Sequence, residues 1–134
     1  MITEDYVSYD VAKLLKEKGF DWDCEYYYKP NGEIVRTFHI KGSHRINSSV
    51  LYEHQCLAPT HQMAMKWLRK IYGLHISVIP YLKEEGEVIG EVVWVWKIIS
   101  IVTAAVIADS LGDDFNSCEE AVEADLKYCL TNLI

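Results

Sequence analysis

Three stretches of this chain repeat apolar residues at helical spacing, and the segments between them alternate or run apolar as strands do. In the first, Val11, Leu14 and Leu15 form a stripe opposed by Lys13, Lys16, Glu17 and Lys18. Ser8 can accept a free amide of the first turn, and Asp10 suits the positive end of the helix dipole. Gly19 permits a left-handed stop, after which Phe20 can fold back. In the second, Ala64, Trp67, Leu68 and Ile71 make the stripe, with Met63 and Met65 filling beside it. Pro59 suits the first helical position and Gly73 the stop. In the third, Ser117 and Glu120 form a capping box, and Val122, Leu126, Cys129, Leu130 and Leu133 mark the buried face.

Strand patterns lie between the helices. Glu25 to Lys29 and Glu33 to Lys41 flank Pro30-Asn31-Gly32, a hairpin signal, with Ile34, Arg36, Phe38 and Ile40 on one face. Residues 42–53 are polar and read as a loop. His75 to Leu82 reads as a strand with Ile76, Val78 and Leu82 on one face, and Pro80, which cannot donate to a ladder, puts it at an edge or ends it there. Val88 to Ile99 is apolar on both faces around Val92 to Trp96, which predicts a central strand. Ile101 to Ile107 reads as a third strand of this group, although its alanines also suit a helix. The order is α-β-β-α-β-β-β-α. It predicts an α+β fold, an antiparallel or mixed sheet of about five strands with three helices packed mainly on one side. A length of 134 residues without linker, repeat or low-complexity run predicts a single domain, 1–134.

The run from Val92 to Ala108 must be tested as a membrane span, because only Lys97, Ser100 and Thr103 interrupt it. It sits at the short limit for crossing hydrocarbon, and Lys97 near the bilayer centre would cost about 2.5–3.5 kcal/mol. Valine, isoleucine and tryptophan dominate it, with Glu91 and Asp109 closing its ends, so buried sheet is the expectation. No membrane partner is implied.

Charge is unevenly spread. Residues 1–74 carry ten Lys or Arg and nine Asp or Glu, whereas residues 75–134 carry three and eleven within a net charge of −7. An acidic half repels a phosphate backbone, which counts against nucleic acid as a partner of the whole protein. Cys24, Cys56, Cys118 and Cys129 show no C-x-x-C spacing, and the N-terminal residues do not read as a signal peptide. Reduced thiols in the cytoplasm are expected.

Candidate chemistry is sparse. His39, His44, His54, Cys56 and His61 fall within 23 residues and offer zinc's preferred ligand types, but no closed ligand spacing, and solvated loop histidines account for them. Cys56 beside His54 or His61 could supply a nucleophile and a base, yet no third orienting group can be named. Asp113-Asp114 and Glu84-Glu85 fall in expected turns, and the seven glycines form no phosphate loop. The hairpin gathers Tyr26, Tyr27, Tyr28, Phe38, Lys29, Arg36, Lys41 and Arg45, a set able to stack single-stranded bases. Trp94 and Trp96 share a strand face and Trp67 borders a helix stripe, which would be adhesive if left uncovered. No catalytic, cofactor-binding or metal residue is assigned.

Two segments, Leu51 through Pro59-Thr60-His61-Gln62-Met63-Ala64-Met65-Lys66-Trp67-Leu68-Arg69 and Glu119-Glu120-Ala121-Val122-Glu123-Ala124 through Ile134, resemble small uncharacterised proteins of gut-bacterial genomes, prophages and phages. With the Ser8 to Phe20 helix, the similarity touches nearly the full length, apart from Lys83 to Asp114. It implies an intracellular accessory protein of mobile-element origin, and no activity or site residue. The expectation is therefore a non-enzymatic cytoplasmic protein without cofactor that acts by binding an unknown protein partner. Single-stranded nucleic acid on the Tyr/Arg/Lys hairpin and a metal or thiol site near Cys56 are the alternatives, and a homodimer through an exposed strand is left open.

Overall fold

The computed structural model describes residues 5–36, 51–52, 54–84, 90–110 and 112–134. Helix α1 spans Tyr9–Glu17, capped by the Ser8 hydroxyl, which accepts from the Val11 amide. Its inward stripe is Val11, Ala12 and Leu15, and Phe20 returns over its last turn through a bond from its amide to the Leu15 carbonyl. The hairpin follows as β1 (Tyr26–Tyr28) and β2 (Ile34–Arg36), paired antiparallel with Tyr28 opposite Ile34. The Gly32 amide closes the turn onto the Lys29 carbonyl at a φ of 85°, and an added Cβ there would lie 3.3 Å from the Tyr9 ring. The expected extension of β2 through Phe38 to Lys41 lies outside the described residues.

A strand absent from the sequence expectation, β3 (Cys56–Leu57), pairs antiparallel with β1 and makes it the centre of a three-stranded sheet. Two residues is too short for alternation to register. Helix α2 covers His61–Tyr72, so it starts two residues later than expected. Thr60, not Pro59, is the boundary, because its hydroxyl accepts from the Met63 amide. Pro59 is fully buried just before that cap, and its carbonyl accepts from the Val7 amide. Ala64, Trp67 and Leu68 face inward, whereas Ile71 is exposed near the helix end. Gly73 stops the helix in the left-handed region at φ 68°.

The second sheet has the order β4 (Leu74–Leu82), β5 (Val92–Ser100), β6 (Val106–Asp109), all antiparallel. Among the described residues the strands expected in one sheet are thus shared between two, within an α+β fold in which three helices and six strands are described. β5 is central and β4, with its Pro80, lies at an edge, as the pattern predicts. Residues 101–107 are neither one strand nor a helix. Residues 101–103 turn, Ala104 takes a φ of 59°, and β6 starts only at Val106. Ser100 holds that turn, its hydroxyl accepting from the Val102 and Thr103 amides and its carbonyl from the Ala104 amide.

Helix α3 (Cys118–Tyr128) runs into a π-helical turn, Cys129–Leu133. Ser117 caps it by accepting from the Glu120 amide. The capping box is only half formed, since the Glu120 carboxylate accepts from Asn116 instead of Ser117. Val122, Leu126, Cys129 and Leu130 join Val11, Leu15, Leu68, Ile76, Trp96 and Ile98 in one core. The β4 and β5 side chains in that core, Ile76, Trp96 and Ile98, share one sheet face, so the helices cover that face. Among the described residues no helix is long and apolar enough to cross a membrane.

Candidate functional site

Four groups of side chains test the candidate chemistry. Cys56 and His54 line a groove of about 580 Å³ with Tyr9, Lys13, Lys16, Glu17 and Pro30. The Cys56 thiol is buried, and that burial pushes its pKa up despite the opposing pull of Lys16 and Lys13. A thiol so held is protonated, the opposite of what a nucleophile needs. His61, the other expected base, lines a different groove with Glu123. His39 and His44 lie outside the described residues. Among those described, no three His, Cys, Asp or Glu side chains group as metal ligands would.

His61 serves a junction of the three helices. The strand-like pairing of Tyr6 with Thr60 brings Ser8, at the start of α1, beside the first turn of α2. The Glu123 carboxylate of α3 meets both, accepting from the Ser8 amide at 2.8 Å and lying 2.8 Å from His61 Nε2. Burial pushes the Glu123 carboxyl up, but the bonds from His61 and Ser8 outweigh it and hold the group below the usual carboxylate range. A negative charge also suits the amide-rich starts of α1 and α2. This arrangement locks helices together. Its surround adds Asp5, Glu119 and Glu120, and among the described residues no basic side chain besides His61 lines the groove.

The tyrosine hairpin is largely committed to packing. Tyr26 lies against Tyr6 with ring centres 4.8 Å apart, and Tyr28 against Tyr9 at 5.5 Å. The Tyr28 hydroxyl donates to the Val7 carbonyl at 2.6 Å, and Arg36 pairs with Glu25, also at 2.6 Å. Stacking platforms for bases need a free ring face beside a free cation. Here two rings of three face protein, and the Arg36 cation has a carboxylate partner.

Asp125 is the polar residue the sequence reading passed over. It is fully buried, one oxygen lies 3.7 Å from the Cys129 sulfur, and the other has no partner. Burial raises its pKa to about 8, so the carboxyl is mostly protonated at neutral pH. The same burial, with Asp125 alongside, pushes the Cys129 thiol up. A signal was available: Asp125 falls at helical spacing between Val122 and Cys129, on the stripe that marks the buried face.

The tryptophans resolve unequally. Trp67 and Trp96 are buried, Trp96 against the Tyr128 ring at 5.2 Å, while Trp94 is half-buried and bridged to Phe115 through paired backbone bonds. The most open surface lies on part of the other face of β4–β5–β6, where Val93 is buried opposite Tyr81 but its neighbours are not. There Ile79 and Tyr81 are exposed, Val95 and Ile99 half-buried, and Lys97 sits opposite Asp109. A groove of about 340 Å³ runs over Ile79, Tyr81 and Val95 to a polar end at Lys97, Asp109 and Asp114. Comparison of the chain with family models, with curated proteins and with solved structures yields no match.

Proposed function

We propose that this is a non-enzymatic accessory protein that binds another protein through the outer face of β4–β5–β6, in the intracellular, mobile-element setting its resemblance implies. The observation that carries the reading is the contrast in how the side chains are used. Cys56 is buried and protonated, His61 is bonded to Glu123, and Tyr26 and Tyr28 pack against Tyr6 and Tyr9, whereas Ile79, Tyr81 and Val95 form an open apolar strip. Such a strip, ending in Lys97, Asp109 and Asp114, has the apolar centre and polar rim of a docking surface.

The test is retention of a partner from native lysate on the immobilised protein, compared with Tyr81→Lys. Tyr81 is exposed, so the substitution leaves the fold intact by circular dichroism. A saturable partner held by the wild type and lost on Tyr81→Lys supports the reading. Retention indifferent to Tyr81→Lys, or none at all, defeats it.

A further inference from the structure

We propose that the core between α3 and β5 contains an internal water site, in which one water molecule joins Trp96 Nε1 to Asp125 Oδ2. Among the described residues these are the two buried side-chain nitrogen or oxygen atoms without a hydrogen-bond partner. They are complementary, since the indole N–H can only donate and the carboxyl oxygen can accept. Buried polar groups in folded proteins are paired, with ordered water where no protein group reaches them. The other buried polar side chains described are His61 and Ser110. His61 is bonded to Glu123 at the helix junction and Ser110 to the Trp96 amide, so neither serves the two orphans.

Packing brings the two atoms together. α3 lies directly on β5, and Trp96 shares a core with Val122, Leu126 and Cys129, the stripe on which Asp125 falls. The Trp96 ring lies 5.2 Å from the Tyr128 ring. A helical side chain leans back over the residues three and four before it, which for Tyr128 are Asp125 and Ala124. The indole is thus carried to the turn of α3 that holds Asp125. The other carboxyl oxygen is 3.7 Å from the Cys129 sulfur, which leaves Oδ2 for this side. A direct bond is out of reach in this arrangement, whereas a water spans about 5.5 Å, two hydrogen-bond lengths. The elements packed on α3 otherwise bring apolar side chains to the core, Val11 and Leu15 of α1, Leu68 of α2, Ile76 of β4 and Ile98 of β5. Cys129 is the titratable group bonded to Asp125, and His75 and Lys97 lie on the other face of the sheet. The site therefore answers to one carboxyl, which burial keeps protonated up to about pH 8.

Nitrogen-15 NMR of the full chain tests this through the indole N–H signals of its four tryptophans. The expected Trp96 signal is protected from solvent exchange and shows a cross-peak to a long-lived water. It also shifts with pH at a midpoint of about 8, a step that the signals of Trp22, Trp67 and Trp94 lack. Asp125→Asn abolishes the step, whereas Ile79→Ala, on the outer face of the sheet, leaves it in place. A wild-type Trp96 signal with no step, or a step that survives Asp125→Asn, would overturn the proposal. So would a signal that follows Asp125 with no long-lived water beside it, which would mean a direct bond.

Discussion

On one side of α3 the Glu123 carboxylate accepts bonds from Ser8 and His61 at the start of two other helices. Two residues later Asp125 is fully buried beside Cys129, with one oxygen unpaired. The first is held below the ordinary carboxylate range and the second is raised to about 8. Both groups lose hydration, and burial pushes both upward. What separates them is the supply of donors. The helix junction offers an amide and an imidazole, whereas the apolar stripe offers only a weak thiol. The same helix therefore ties the fold together with an ion on one face and with apolar packing on the other.

The apolar side should dominate stability. Leu126→Ala and Ile98→Ala each delete a fully buried side chain, and each should cost about 2–5 kcal/mol in urea unfolding. Ile79→Ala, on the more open face of the same sheet, should change stability by less than about 1 kcal/mol. Equal losses at Ile98 and Ile79 would mean that the outer face is covered after all.

Asp125 gives that side a pH dependence. Below about pH 4 its carboxyl is protonated in both folded and unfolded chains. Between there and about 8 the unfolded chain releases the proton while the folded one keeps it. The Asp125 contribution to stability is thus fullest below pH 4 and falls, by at most about 1.4 kcal/mol per pH unit, as pH rises from there to the folded value. Asp125→Asn should flatten this slope in unfolding curves taken from pH 4 to 8. A variant with the wild-type slope would show that Asp125 titrates normally.

How much of this could be read from the chain depends on what a pattern encodes. The caps at Ser8 and Ser117, the stops at Gly19 and Gly73 and the stripes on all three helices follow from contacts within a few residues, and they were legible. The central place of β5 was legible too, because both its faces are apolar. β3 was not, since two residues carry no period, and neither was the division into two sheets, which depends on which strands meet. The start of α2 was misplaced because proline fits both the first helical position and the approach to a cap. For candidate sites, sequence neighbourhood misled. His61 lies five residues from Cys56, yet it reaches Glu123, 62 residues away. No local spacing announces that pair.

The polar junction should respond with the opposite sign to acid. Glu123, held below the usual range, contributes stability that is present above about pH 4.3, its unfolded value, and lost as pH falls through the folded one. Glu123→Gln removes the anion that Ser8 and His61 share, and should cost about 1–3 kcal/mol at neutral pH. His61→Gln adds little on the Glu123→Gln background, because the two share one interaction. Additive losses in that double-mutant cycle would show that the pair is incidental.

The smallest effects concern the tyrosine hairpin, which borders the same junction. Burial, and then the charge of Glu123, raise the pKa of Tyr28, so its hydroxyl stays a donor to Val7 through ordinary pH. Tyr28→Phe keeps the ring against Tyr9 but leaves the Val7 carbonyl without that donor, and should cost about 0.5–1.5 kcal/mol. Arg36→Ala breaks only a largely exposed ion pair with Glu25 and should cost under about 1 kcal/mol, shrinking further in high salt. Ranking the two separates a structural hairpin from a binding one. If Tyr28→Phe is silent in stability while both substitutions release single-stranded RNA from the protein, the hairpin is a nucleic-acid surface, and its inward packing is secondary. If Tyr28→Phe destabilises the fold and no RNA is held at low salt, the tyrosines belong to the scaffold that positions α1 against Glu123.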